Sequence, residues 1–193
     1  MRILRSADYR RMPWKNGGGE TVEIAVHPAG SSLDEFDWRV SMARVAADGP
    51  FSAFPGVERT LAVLDGNGIR MEIGGGTPVE LTTSSEPFAF AAEVGVEARL
   101  VDGPITDLNV MTRRGRARHS LRCLRPCEAV ERTVDAAAVL LFCSEGCAEI
   151  EAEGAVRRLA AHDALLDINV SGSWRIAPKI SPVLFLVEID APA

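Results

Sequence analysis

Short runs of alternating polarity, cut at close intervals by glycine and proline, constrain this chain more than any other feature. Residues 21–26 place Val22, Ile24 and Val26 on one face of an extended chain, with Thr21 and Glu23 on the other. Residues 38–45 set Trp38, Val40 and Met42 against Arg39, Ser41 and Ala43. Similar stretches recur at 60–64, 69–73, 87–91, 96–101, 107–112, 138–143, 148–152 and 183–189. Period-two patterning between turn residues is the signature of a strand with one buried face. Asp65-Gly66-Asn67-Gly68 can supply the positive φ angles of a tight hairpin. Gly49-Pro50, Pro55-Gly56, Gly103-Pro104 and Ala177-Pro178 end other strands. Only 32–36 and 131–136 are helical candidates, and both are short. The expected fold class is therefore all-β, a barrel or sandwich with few short helices.

A faint internal echo points to two related halves. Residues 61–64, a glycine turn and 69–73 find counterparts in 139–142, a second glycine turn and 148–152. Residues 88–90 and 109–111 answer to 165–167 and 186–188, so the offset stays near 77 to 80 residues. A boundary near 112–120 follows, giving a first barrel over 1–114 and a second over 115–193.

Composition narrows the function. The 193 residues carry 27 acidic and 21 basic side chains, a formal charge of −6. This balance disfavours general nucleic-acid binding, which needs a basic field. The arginine run 113–125 interleaves its charges with Gly115, Ala117, Leu121 and Cys123, the pattern of a strand with a solvated face, and it lacks aromatic stacking platforms. The longest apolar run, 136–143, is far short of a membrane span. The charged first residues do not form the apolar stretch of a signal peptide. A cytoplasmic protein without nucleic-acid or membrane partners is expected.

Metal chemistry has little to work with. His27, His119 and His162 stand far apart, with no His-x-His pair to place two imidazoles on one strand face. Cys123 and Cys127, and Cys143 and Cys147, repeat a spacing compatible with zinc pairs. Their surroundings favour small core residues for Cys123 and Cys143, with 144–146 a hairpin turn. No metal and no cofactor are expected. The glycine triplet 17–19 has no following helix, so it is not a phosphate-binding fingerprint. Such a loop still lets backbone approach a ligand closely, or it is a bulged turn before the strand at Thr21.

One set of segments is more specific than any single motif. Met12-Pro13-Trp14-Lys15-Asn16-Gly17-Gly18-Gly19-Glu20-Thr21, Trp38-Arg39-Val40-Ser41, residues 49–59 and Asp107-Leu108-Asn109-Val110-Met111 with its trailing arginines resemble the HutD/Ves family. That family is associated with bacterial histidine utilisation. The resemblance is dense over 12–114 and thin afterwards. It implies a bicupin, two fused RmlC-like cupin barrels, paired as a homodimer. It further implies a small-molecule binding protein without an assigned enzymatic role. Cupin metal chemistry does not transfer, because the His-x-His motif is missing.

Within such a barrel the polar strand faces define a candidate site of Thr21, Glu23, Arg39, Ser41, Arg59, Asp107 and Asn109, with Asn16, Gly17 and Gly18 approaching by backbone. A guanidinium inside a barrel needs an anionic partner. Either Glu23, Glu58 and Asp107 serve internally, or Arg39 or Arg59 forks onto a ligand carboxylate, with Thr21, Ser41 and Asn109 completing its hydrogen bonds. Trp14, Trp38, Phe51 and Phe54 are candidates for an aromatic wall, although Trp38 and Arg39 point to opposite faces. The leading expectation is a non-catalytic carboxylate-binding protein that modulates histidine utilisation, with urocanate or a formylated glutamate as ligand. The alternative is a metal-independent isomerase or hydrolase using Glu23 or Asp107 as general base.

Overall fold

The computed structural model describes residues 1–15 and 17–191. Strand β1 (Arg2–Leu4) runs into a single 3-10 turn at Ser6–Asp8. There follow β2 (Arg10–Pro13), β3 (Gly19–His27), β4 (Trp38–Val45), β5 (Gly49–Pro50), β6 (Val57–Asp65), β7 (Ile69–Ile73) and β8 (Val79–Leu81). Next come β9 (Phe88–Ala91), β10 (Val96–Leu100), β11 (Ile105–Arg113), β12 (Arg118–Leu124), β13 (Val130–Ala152), β14 (Ala155–Ala160) and β15 (Ala164–Asp190). No α-helix occurs among the described residues, and no helix is long and apolar enough to cross a membrane.

The chain divides into two compact units. One is Arg10–Arg118; the other joins Met1–Tyr9 to His119–Ala191. Residues 1–9, which a single cut at 114 leaves with the first unit, group with the second because β1 pairs with β15.

In the Arg10–Arg118 unit, a six-stranded sheet in the order β2-β3-β4-β11-β6-β9 packs on a four-stranded sheet in the order β5-β10-β7-β8. Their pairings are antiparallel. Leu61, Val63 and Ile105 from the larger sheet meet Ile69, Met71 and Val96 from the smaller one in a single apolar cluster. The β6–β7 hairpin uses the turn chemistry expected of it. Gly66 and Gly68 take φ of +94° and +127°, and a Cβ on either would strike a backbone oxygen within 2.7 Å. Such positions admit only glycine without strain.

The second unit is built around two very long strands. Leu140 of β13 pairs with Leu166 on one side and Val187 on the other, so two stretches of β15 flank it. Ile176 of β15 is likewise paired with both Val130 and Ile150 of β13. The two strands thus close a barrel on themselves, around Leu141, Ile150, Leu165, Trp174 and Leu184.

Several local expectations are corrected. Residues 131–136 are strand: Val134 and Ala136 are buried while Arg132, Thr133 and Asp135 are exposed, an alternation of two that fits a sheet. Residues 32–36 form only a turn, closed by Glu35 N–H donating to the Ser32 carbonyl, before the chain enters β4. Residues 144–146 are not a hairpin turn, since β13 runs through them with register shifts. There Gly146 takes φ +71°, and a Cβ would lie 1.9 Å from the Ile180 carbonyl oxygen. The arginine run is not one strand either. It turns at Gly115, φ +77°, where Arg114 pairs with Glu58 and Glu93, and Arg116 with Asp37, before β12 begins. All four cysteines are free. Cys143 and Cys147 are buried, Cys123 is half-buried and Cys127 is exposed.

Candidate functional site

Three adjacent strands assemble the site. Register sets Asn109 of β11 opposite Ser41 of β4 and Leu61 of β6, and Met111 opposite Arg39 and Arg59. Every second residue shares a face, so Asp107, Asn109 and Met111 lie beside Arg39, Ser41 and Ala43. From β3, Thr21 sits opposite Ala43 and Glu23 opposite Ser41. A bulge follows Glu23, so that Val26 rather than Ala25 lies opposite Arg39. The extra residue transfers Val26 to the face of Thr21 and Glu23, away from the face its sequence alternation indicates. There it packs with Phe36, Val57 and Met111.

These side chains floor a cavity of about 680 Å³, within the range of small-molecule sites. Its polar lining includes Thr21, Arg39, Ser41, Arg59, Asp107 and Asn109, and its apolar lining includes Trp14, Phe51, Phe54 and Met111. Glu23 reaches Arg39 from β3: Arg39 Nε donates to Glu23 Oε2 at 2.8 Å, and Nη1 to Ser41 Oγ at 3.3 Å. Arg59 donates through Nε to Asn109 Oδ1 at 2.8 Å, and through Nη2 to the same oxygen. Asn109 Nδ2 then donates to Asp107 Oδ1 at 2.6 Å. Arg59 also lies over the rings of Phe51, at 4.6 Å, and Phe90, at 5.6 Å. Cation–π contacts of this kind hold a guanidinium with little water.

The internal reading of the arginines therefore applies in part. Internal acceptors occupy two nitrogens of each guanidinium. Nη2 of Arg39 and Nη1 of Arg59 have no protein acceptor among the described residues. Glu58 takes no part, being paired with Arg114. Burial lowers the pKa of Arg59 to about 10, with Arg39 acting the same way and Asp107 opposing. It stays protonated at neutral pH. Burial pushes the Asp107 carboxyl up to about 6, against the pull of Arg59, the Asn109 amide and the Ala43 backbone. With Lys15 at the cavity, Arg39, Arg59 and Lys15 stand against Glu23 and ionised Asp107, a formal excess of one positive charge.

Not every expected residue joins the site. Gly17 and Gly18 make the β2–β3 turn instead. Gly17 N–H donates to the Trp14 carbonyl at 3.1 Å, and the Gly18 carbonyl accepts from Ala46 N–H at 2.9 Å. Asn16 lies outside the described residues. Trp38 is absent from the wall; on the other face of β4, it stacks on His27 at 5.6 Å. Trp14 is held over the cavity because Gly19 has no side chain: a Cβ there would come 3.0 Å from its ring and 2.2 Å from the Arg44 carbonyl oxygen. Trp14 Nε1 donates to Thr21 Oγ1 at 2.8 Å. Sequence reasoning overlooked Lys15, Leu33, Met111 and Phe90. Met111 shares the parity of Asp107 and Asn109, a signal that would have found it.

The site does not fit the metal that cupin folds commonly carry. Its polar groups are two guanidiniums, an amide, hydroxyls and two carboxylates, Glu23 paired with Arg39 and Asp107 bonded to the Asn109 amide, with no imidazole among them. His27 and His162 are instead stacked on Trp38 and Phe142. No group of three metal-ligating side chains occurs among the described residues.

The residue pattern of the HutD family matches residues 6–179. A 21.2 kDa protein from the hutC 3′ region of Pseudomonas putida is 38% identical over 191 residues, 94% of this chain and 98% of that one. Protein Ves of Citrobacter koseri is 41% identical over 119 residues, 60% of this chain and 61% of Ves. Among solved structures, the PA5104 protein of Pseudomonas aeruginosa PAO1 superposes with a TM-score of 0.92 at 38% identity, over 98% of each chain. HutD from Pseudomonas fluorescens SBW25, in a formate condition, gives 0.84 at 32% identity, over 100% of this chain and 99% of that one. The Lactobacillus farciminis oxalate decarboxylase formate complex gives 0.68 at 8% identity, over 100% of this chain and 86% of that one, a likeness of cupin fold alone.

Proposed function

The chain belongs to the HutD family, associated with histidine utilisation, and from that premise we propose that it is a non-catalytic binding protein for a small carboxylate that tunes the pathway. The observation that carries this reading is the pair of buried guanidiniums. Arg39 and Arg59 are 5% and 8% exposed, line one cavity, and each retain a nitrogen without a protein acceptor. Two unfilled donors at a site with excess positive charge suit the two oxygens of a carboxylate, which bind strongest where water is excluded. Trp14, Phe51 and Phe54 suit a flat or short apolar body behind it. Urocanate and N-formyl-L-glutamate meet both requirements, and formate supplies the bare anion.

Calorimetry with these three compounds tests the reading. Arg59→Met removes one anchor while keeping the volume. Charge-assisted hydrogen bonds of this type place the expected loss of affinity at about tenfold to a hundredfold. No heat with any of the three would refute the assignment. A second reading rests on Asp107, a buried carboxyl held near neutrality, acting as general base. Glu23 is the weaker candidate because it is paired with Arg39. Conversion of bound urocanate or N-formyl-L-glutamate by the purified protein, followed by proton NMR, would replace the binding reading with this one.

A further inference from the structure

Besides the two unfilled guanidinium nitrogens, the polar network at the cavity floor leaves one buried acceptor without a partner. Asp107 is 1% exposed and its Oδ1 accepts from Asn109, yet Oδ2 is buried with no hydrogen-bond partner. No neighbouring side chain donates to it. Directly across the sheet stand Ala43 and Val63, whose side chains carry no donor. The Arg59 nitrogens Nε and Nη2 go to Asn109 rather than to the carboxylate. Asn109 spends Nδ2 on Oδ1. A buried acceptor left unmade is among the costlier defects a core can hold, and here it borders a ligand-sized cavity.

We propose that the cavity reads its ligand at two points, the second being a hydrogen-bond donor of the ligand that Asp107 Oδ2 accepts. The ligand class is then a carboxylate bearing an N–H, with the planar N–H of an azole or amide the best match to the aromatic lining. This rests on the reading that Arg39 and Arg59 hold the carboxylate, and it adds discrimination to that anchor. A site built to pair a substrate N–H rejects the analogue lacking it far more strongly than an apolar pocket rejects a changed methylene. Asp107 is thus a specificity residue; the arginines supply affinity for any acid of suitable size.

The test uses two isosteric probes, 3-(pyrrol-2-yl)acrylate with a ring N–H and 3-(furan-2-yl)acrylate with a ring oxygen, together with urocanate, N-formyl-L-glutamate and glutarate. Calorimetry on the full chain at pH 8 is expected to show the pyrrole compound binding about tenfold to a hundredfold tighter than the furan. Asp107→Asn presents an N–H where Oδ2 stood, so the preference is expected to reverse. A thermal melt of the variant checks its folding, and the wild-type comparison stands without it. Equal affinity for pyrrole and furan in the wild type would overturn the second contact and leave the arginine anchor intact. No binding of any of the five acids would overturn both.

Discussion

Asp107→Asn carries a stability prediction that runs opposite to the usual cost of a buried substitution. The wild-type carboxyl titrates near 6 in the folded protein, against an ordinary value of 3.8, because burial disfavours its charge. The folded state therefore holds the proton more tightly than the unfolded chain, and stability falls as pH rises between those two values. A displacement of about two units at 1.36 kcal/mol each means that ionised Asp107 lowers stability by about 3 kcal/mol above pH 7. The neutral amide escapes this penalty. It can keep the hydrogen bond from Asn109, now through its carbonyl oxygen. Urea titrations of both proteins across pH 4 to 8 measure the difference. The variant is expected to match the wild type near pH 4 and to exceed it by an amount that grows to about 3 kcal/mol at pH 8. A variant that is less stable at pH 8, or an advantage independent of pH, would refute the argument that Asp107 is kept at a cost to folding.

Two further substitutions probe the frame around the site. Arg113 donates to the carbonyls of Phe36, Pro55 and Asp34 and lies over the Phe36 ring, tying together the two loops that bring Leu33 and Phe54 to the cavity. Arg113→Ala is expected to speed amide hydrogen exchange in residues 29–37 and 52–56 and to weaken urocanate binding several-fold; unchanged exchange would show that the tie is dispensable. Gly146→Ala forces a Cβ onto the Ile180 carbonyl at a positive φ, so a loss of at least about 2 kcal/mol is expected by urea titration, and a neutral result would contradict the close approach of β15 to Gly146.

Much of this architecture is legible in the sequence because a strand repeats every two residues. The expected limits of β4 and β7 coincide with those observed, and β7 lies between Gly68 and Gly74. The same alternation brings Arg39, Ser41, Arg59, Asp107 and Asn109 to one face without any knowledge of the pairing. What the alternation misses is any event that changes its phase. The bulge after Glu23 moves Val26 across the sheet, and no glycine or proline marks it. Strands β13 and β15 read as separate segments because their pairing shifts register around Gly146 and the facing stretch 178–184, where glycine and proline ordinarily end a strand. Within the site, the partition of each guanidinium between internal and unfilled donors depends on side-chain reach, which spacing does not encode. The glycines at 17 and 18 were legible as a turn or as a ligand loop, and the hydrogen bonds of that turn place them outside the cavity lining.

The central claim is that Arg39 and Arg59 hold a carboxylate in this cavity, and a crystal structure of the protein soaked with urocanate tests it most directly. The account predicts carboxylate density within about 3 Å of Arg39 Nη2 and Arg59 Nη1, with the ring against Trp14, Phe51 or Phe54. Urocanate ordered elsewhere on the protein, with both arginine nitrogens bonded only to water, would contradict it.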